Sequence, residues 1–88
     1  MTPYEVNGTW FDLDHVQGIS PVHRTTGPSN RYCFAFGLIL TFRTHPYEIY
    51  FFYKRHDDED QMKAESESIE ARRKLIAALE NKGKQDDE

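Results

Sequence analysis

The longest regular pattern in the chain lies in its middle. Over residues 31–42, Tyr32, Phe34, Phe36, Leu38, Leu40 and Phe42 alternate with Cys33, Ala35, Gly37, Ile39 and Thr41. Period-two alternation over that length specifies a β-strand. One face is large and apolar; the other is small enough for a helix or another chain to approach closely. Arg43-Thr44-His45-Pro46 reads as a turn, and residues 47–54 as a second strand pairing with the first. Its two faces, Tyr47/Ile49/Phe51/Tyr53 and Glu48/Tyr50/Phe52/Lys54, both carry aromatics, so neither is expected to be fully solvated. Upstream, Tyr4-Glu5-Val6 and Thr9-Trp10-Phe11 flank Asn7-Gly8. Asn and Gly best tolerate the positive φ of a type I′ turn, so a short hairpin is expected there. Residues 16–20 continue in extended form, with Gly18 as a bend or bulge.

Two further segments complete the pattern. Residues 21–30, PVHRTTGPSN, hold two prolines, a glycine and short polar side chains, and read as the longest loop of the domain. From Asp57 the periodicity becomes helical. Asp57, Asp58, Glu59 and Asp60 suit the positive end of a helix dipole. Met62, Ile69 and Ile76 recur at seven-residue spacing, with Arg72 and Leu79 on that side and Leu75 beside it. This predicts an amphipathic helix over about 57–82 with a narrow apolar stripe, a stop at Gly83 and a frayed polar tail over 84–88. The expected fold class is α+β. A small antiparallel sheet over residues 3–54, of about four to five strands with two hairpins, packs on one C-terminal amphipathic helix in a single domain, 1–83.

Composition sharpens this division. All aromatic residues, 14% of the 88-residue chain, lie at or before Tyr53. Residues 1–56 hold five Lys/Arg against four Asp/Glu, and residues 57–88 six against eleven, giving the net charge of −4. Net acidity argues against general nucleic-acid binding, which needs a basic surface, but leaves room for a local basic patch on the front half. The lone cysteine, Cys33, cannot form an internal disulfide and fits a reducing cytoplasm. No secretory signal is expected from MTPYEVNGTW, and residues 34–42 are too short an apolar run to span a membrane.

Candidate chemistry is sparse. Asn7-Gly8-Thr9 matches a glycosylation acceptor, but a hairpin turn accounts for it without secretion. Asp12, Asp14 and His15 lack the third ligand and terminal Glu of a calcium loop, so a solvent-facing edge or turn contact is the simpler reading. His15, His23, His45 and His56 are scattered, and no zinc spacing is present. Cys33, within a strand, reads as a small buried hydrophobe with no adjacent base. No catalytic residue, metal or cofactor is therefore expected. The acidic helix is interrupted by Lys63 and Arg72-Arg73-Lys74, as an ordinary solvated helix face would be.

Binding is the remaining class. Arg24, Arg31, Arg43, Lys54 and Arg55, set among Trp10, Tyr32, Tyr47, Tyr50 and Tyr53, could stack a nucleobase and hold its phosphate. Alternatively, these cations keep sheet edges soluble. No glycine-rich phosphate loop and no ribonucleoprotein aromatic signature is present. The aromatic excess exceeds what one narrow helix stripe covers. The other sheet face must then be covered by the N-terminal hairpin or by another chain, most simply in a C2 homodimer or a complex with a host protein. The YEVNGTWFDLDHV opening, the aromatic strand pair and the Glu/Lys/Arg-rich final helix resemble, in overall style, the small accessory proteins of bacteriophages. That resemblance implies a non-enzymatic cytoplasmic role, inhibiting or redirecting a host component. The expected binding residues are Trp10, Arg24, Arg31, Arg43, Tyr47, Tyr50 and Tyr53. A nucleotide or single-stranded nucleic-acid module is the alternative.

Overall fold

The computed structural model describes residues 1–86 and has the α+β class expected. Its elements are β1 (Pro3–Val6), β2 (Thr9–Asp12), β3 (Val16–Ile19), β4 (His23–Thr26), β5 (Tyr32–Leu40), β6 (Tyr47–Phe52) and α1 (Asp58–Asp86). The strands form two antiparallel sheets rather than one. β1 and β2 pair only with each other, and a 3-10 turn over Leu13–His15 turns the chain away before β3. In the main sheet β5 is central. β6 lies along one side, and β3 and β4 follow one another along the other.

β4 corrects the expectation of a loop through residues 21–30. Pro21 and Gly27-Pro28 bracket the strand without entering it, so no ladder N–H is lost. Only residues 27–31 form the connection to β5; there Ser29 and Asn30 take positive φ of 61° and 58°. Ser20 bridges the gap between β3 and β4. Its N–H donates to Gly37 O at 2.9 Å and its hydroxyl accepts from Gly37 N–H at 2.6 Å. Its carbonyl accepts from Arg72 Nε at 2.8 Å, which ties sheet to helix.

The core lies between the sheet and α1. Phe34, Phe36, Leu38 and Leu40 of β5 and Ile49 and Phe51 of β6 are buried there with Val6 and Leu13, while Tyr4 and Phe11 of the hairpin pack against them. The helix stripe facing them differs from the one expected. Ala64, Ser68 and Leu75 are buried and Ala71, Ala78 and Leu79 partly so, whereas Met62 and Ile69 are 68% and 53% exposed. The sheet supplies the bulk, so the helix approaches on small residues. The buried Ser68 hydroxyl is satisfied by donating to Glu65 O at 2.7 Å. Nor does Gly83 stop the helix, which continues to Asp86. A single glycine costs a helix only about 1 kcal/mol unless the chain turns left-handed there. The expected tail is thus helical over 84–86, and its last two residues lie outside the described ones.

Part of the second sheet face is roofed from within, by the β4–β5 connection. Cross-strand register sets Phe52 opposite Cys33, Tyr50 opposite Ala35 and Glu48 opposite Gly37. Large side chains therefore lie beside small ones, and Tyr50 and Phe52 stack at 5.7 Å. A Cβ on Gly27 would come within 3.1 Å of Phe52 Cε1 and 3.2 Å of both Cys33 Sγ and Tyr50 Cδ1, so the β4–β5 connection rests directly on them. Cys33 and Ala35 are fully buried; Ile39 is the large apolar residue that this face leaves exposed. No helix among the described residues is long and apolar enough to cross a membrane.

Candidate functional site

The seven expected binding residues do not converge. Trp10, Arg43 and Tyr47 gather at one end of β5, and Arg24, Arg31 and Tyr53 at the other. The ends are about 26 Å apart along a nine-residue strand. Tyr50 belongs to neither group: it lies in the roof of the second face.

The first end is apolar. In β2, Trp10 pairs across from Glu5 on the face opposite Phe11, and it is 66% exposed while Phe11 packs on the core. Asn7 (φ 49°) and Gly8 (φ 83°) make the tight turn that sets this register. The Asn7 side-chain amide donates to Tyr50 O at 2.6 Å, pinning the hairpin to β6. Beyond β5, Phe42 is 69% exposed, its ring held edge-on against His15 at 5.4 Å. The Arg43 guanidinium lies over Tyr47 at 5.0 Å. Trp10, Phe11, Leu40, Phe42, Arg43 and Tyr47 line a shallow cavity of about 420 Å³ that sequence reading missed, because Phe42 read only as the end of a strand face.

The Asp12/Asp14/His15 cluster beside it is structural. One Asp12 carboxylate oxygen accepts from Thr2 N–H at 2.9 Å and Asp14 N–H at 3.0 Å, capping the 3-10 turn. Asp14 pairs with the Lys82 ammonium at 2.9 Å and the Met1 ammonium at 3.3 Å. His15 Nδ1 lies 2.9 Å from Thr41 Oγ1. Among the described residues no group of three or more His, Cys, Asp or Glu side chains is placed to hold a metal ion. The backbone N–H groups of Thr2 and Asp14 hold Asp12 below the ordinary carboxylate range; the hydrogen bond from Lys82, then that from the N-terminal ammonium, does the same for Asp14. Folding thus favours both charged forms. Their stabilisation is complete above the ordinary carboxylate pKa of about 4 and is lost as pH falls through the lower folded values. The melting temperature should therefore fall on acidification below pH 4, and fall less steeply in Asp12→Asn/Asp14→Asn. Parallel melting–pH curves for the two proteins would disprove this role.

The other end is cationic and aromatic. The Arg55 guanidinium lies 5.3 Å over the Tyr32 ring. Tyr32 stacks on Tyr53 at 6.3 Å, and Tyr53 meets Phe34 at 5.5 Å. Arg31 lies 4.2 Å over Phe52. Two shallow clefts share Tyr32, Tyr53 and Arg55. One, of about 500 Å³, is flanked by Arg31, Lys54 and Asp60; the other, of about 290 Å³, by Arg24, His56 and Gln61. His56 holds the turn into α1 at φ 67°. Cys33 is fully buried, and burial pushes its thiol pKa up.

Comparison with protein-family models, curated proteins and solved structures returns no match for the chain.

Proposed function

We propose that the chain is a small non-enzymatic interaction protein that docks a partner protein on the Trp10–Phe42 end of the fold. The observation that carries this reading is an indole and a phenyl ring, both about two-thirds exposed, beside an Arg43–Tyr47 stack. Trp, Tyr and Arg are the side chains from which interface hot spots are mostly built, and exposed apolar patches mark interaction sites. Support also comes from what the polar groups beside the patch do: Asp12 caps a turn, and Asp14 joins the N-terminus to α1. On the bacteriophage reading the partner is a host protein, inhibited or redirected by having this surface occupied.

A photo-crosslinking side chain placed at position 10 or 42, with a control at the exposed Lys63 of α1, tests the proposal. Adducts are expected from 10 and 42 and not from 63. A mass of twice the chain identifies a second copy as partner; another mass identifies a different protein. Silence at 10 and 42, or the same adducts from all three positions, overturns the reading.

A further inference from the structure

We propose that the Tyr32–Tyr53 end is a second binding site, independent of the Trp10 surface, which takes an unpaired nucleobase on its aromatic face and the attached phosphate on Arg24 and Arg55. The first observation is the stack itself. Tyr32 stacks on Tyr53, Tyr53 tilts against Phe34, the Arg55 guanidinium lies 5.3 Å from the Tyr32 ring centre, and Tyr32 is 37% exposed. Aromatic faces bind bases with little regard to sequence, because every base offers a π-face.

The second observation is the state of the cations. Among the described residues none of Arg24, Arg31, Lys54 and Arg55 lies within salt-bridge distance of a carboxylate, although α1 begins nearby with Asp58, Glu59 and Asp60. Two carboxylates at the start of the helix serve the backbone instead. Asp57 accepts from Asp60 N–H at 3.0 Å, and Asp60 accepts from Lys54 N–H at 2.6 Å. A guanidinium fork not engaged by a carboxylate can donate two parallel N–H bonds, which a phosphate accepts bidentately.

The acidic start of α1 sets the character of the site. It opposes the long-range attraction that a polyanion feels, so binding rests on stacking with two or three local phosphate contacts. A flexible single strand or a free nucleotide fits this; a rigid duplex, with its bases already stacked, does not.

Fluorescence anisotropy of a labelled oligothymidylate, titrated with the full chain, tests the proposal. For two or three phosphates the affinity should weaken about 7- to 20-fold between 50 and 200 mM salt. Tyr32→Ala should weaken it about 5- to 150-fold, Tyr32→Trp should retain it, and Trp10→Ala should leave it unchanged. Displacement by adenosine monophosphate at similar concentration would mark a mononucleotide site; failure to compete would mark a single strand. Should Tyr32→Ala lose its far-UV circular dichroism, Arg55→Ala decides, with a salt slope shallower by about 0.7. No anisotropy change in wild type, or equal binding by folded Tyr32→Ala or by Arg55→Ala, overturns the proposal.

Discussion

Phe36→Ala should cost about 3–5 kcal/mol of stability. Phe36 is fully buried at the centre of β5. It stacks on Phe51 at 6.1 Å and pairs across the sheet with Ile49. The helix above it presents mainly alanine and serine, short side chains that cannot extend into the space a missing ring leaves. At about 4–8 °C per kcal/mol for a domain of this size, the melting temperature should fall by at least about 12 °C. Ile39→Ala, three residues along on the other face and 47% exposed, should cost less than about 1 kcal/mol. Thermal melts of the two variants beside wild type check both values. Equal losses would mean that the stabilising contacts are not concentrated between β5 and α1.

Trp10→Ala should have the opposite profile. The indole is mostly solvated, so stability should stay within about 0.5 kcal/mol. Partner affinity should drop by at least about 2 kcal/mol, roughly 30-fold, as for a central aromatic anchor. Phe42→Ala should do the same, and the two losses should not add, since the rings line one cavity. Titration calorimetry against the crosslinked partner, with melting curves in parallel, is the measurement. Unchanged affinity in both variants, or a loss that tracks a fall in melting temperature, would remove the docking role.

Which parts of this were legible in the sequence follows from how far apart the deciding residues are. Asn7-Gly8 and the alternation through β5 are local signals; the turn formed where the pattern set it, and the strand formed but stops at Leu40, two residues short of Phe42. β4 was hidden because His23-Arg24-Thr25-Thr26 is polar and framed by prolines, and its strand character depends on pairing with Tyr32–Ala35, several residues away. The helix stripe was misplaced because counting large apolar side chains selects Met62 and Ile69. Contact with a bulky aromatic sheet instead selects Ala64, Ser68 and Ala71. The covered part of the second face follows from a register, Cys33 with Phe52 and Ala35 with Tyr50, that periodicity within one strand does not encode. For the same reason the candidate binding residues were found as types but not as places. Only the fold shows that Arg43 and Tyr47 stand with Trp10, and Arg24 and Arg31 with Tyr53.

The position of the single tryptophan has a practical consequence for spectroscopy. The indole is already largely in water in the folded chain, so its emission should be red-shifted from the outset and should change little on denaturation. A blue shift would therefore report that the Trp10 surface has been covered. Ligands at the Tyr32 end, far along the strand, would leave that emission unmoved, which makes the native fluorophore a label for one end of the molecule alone.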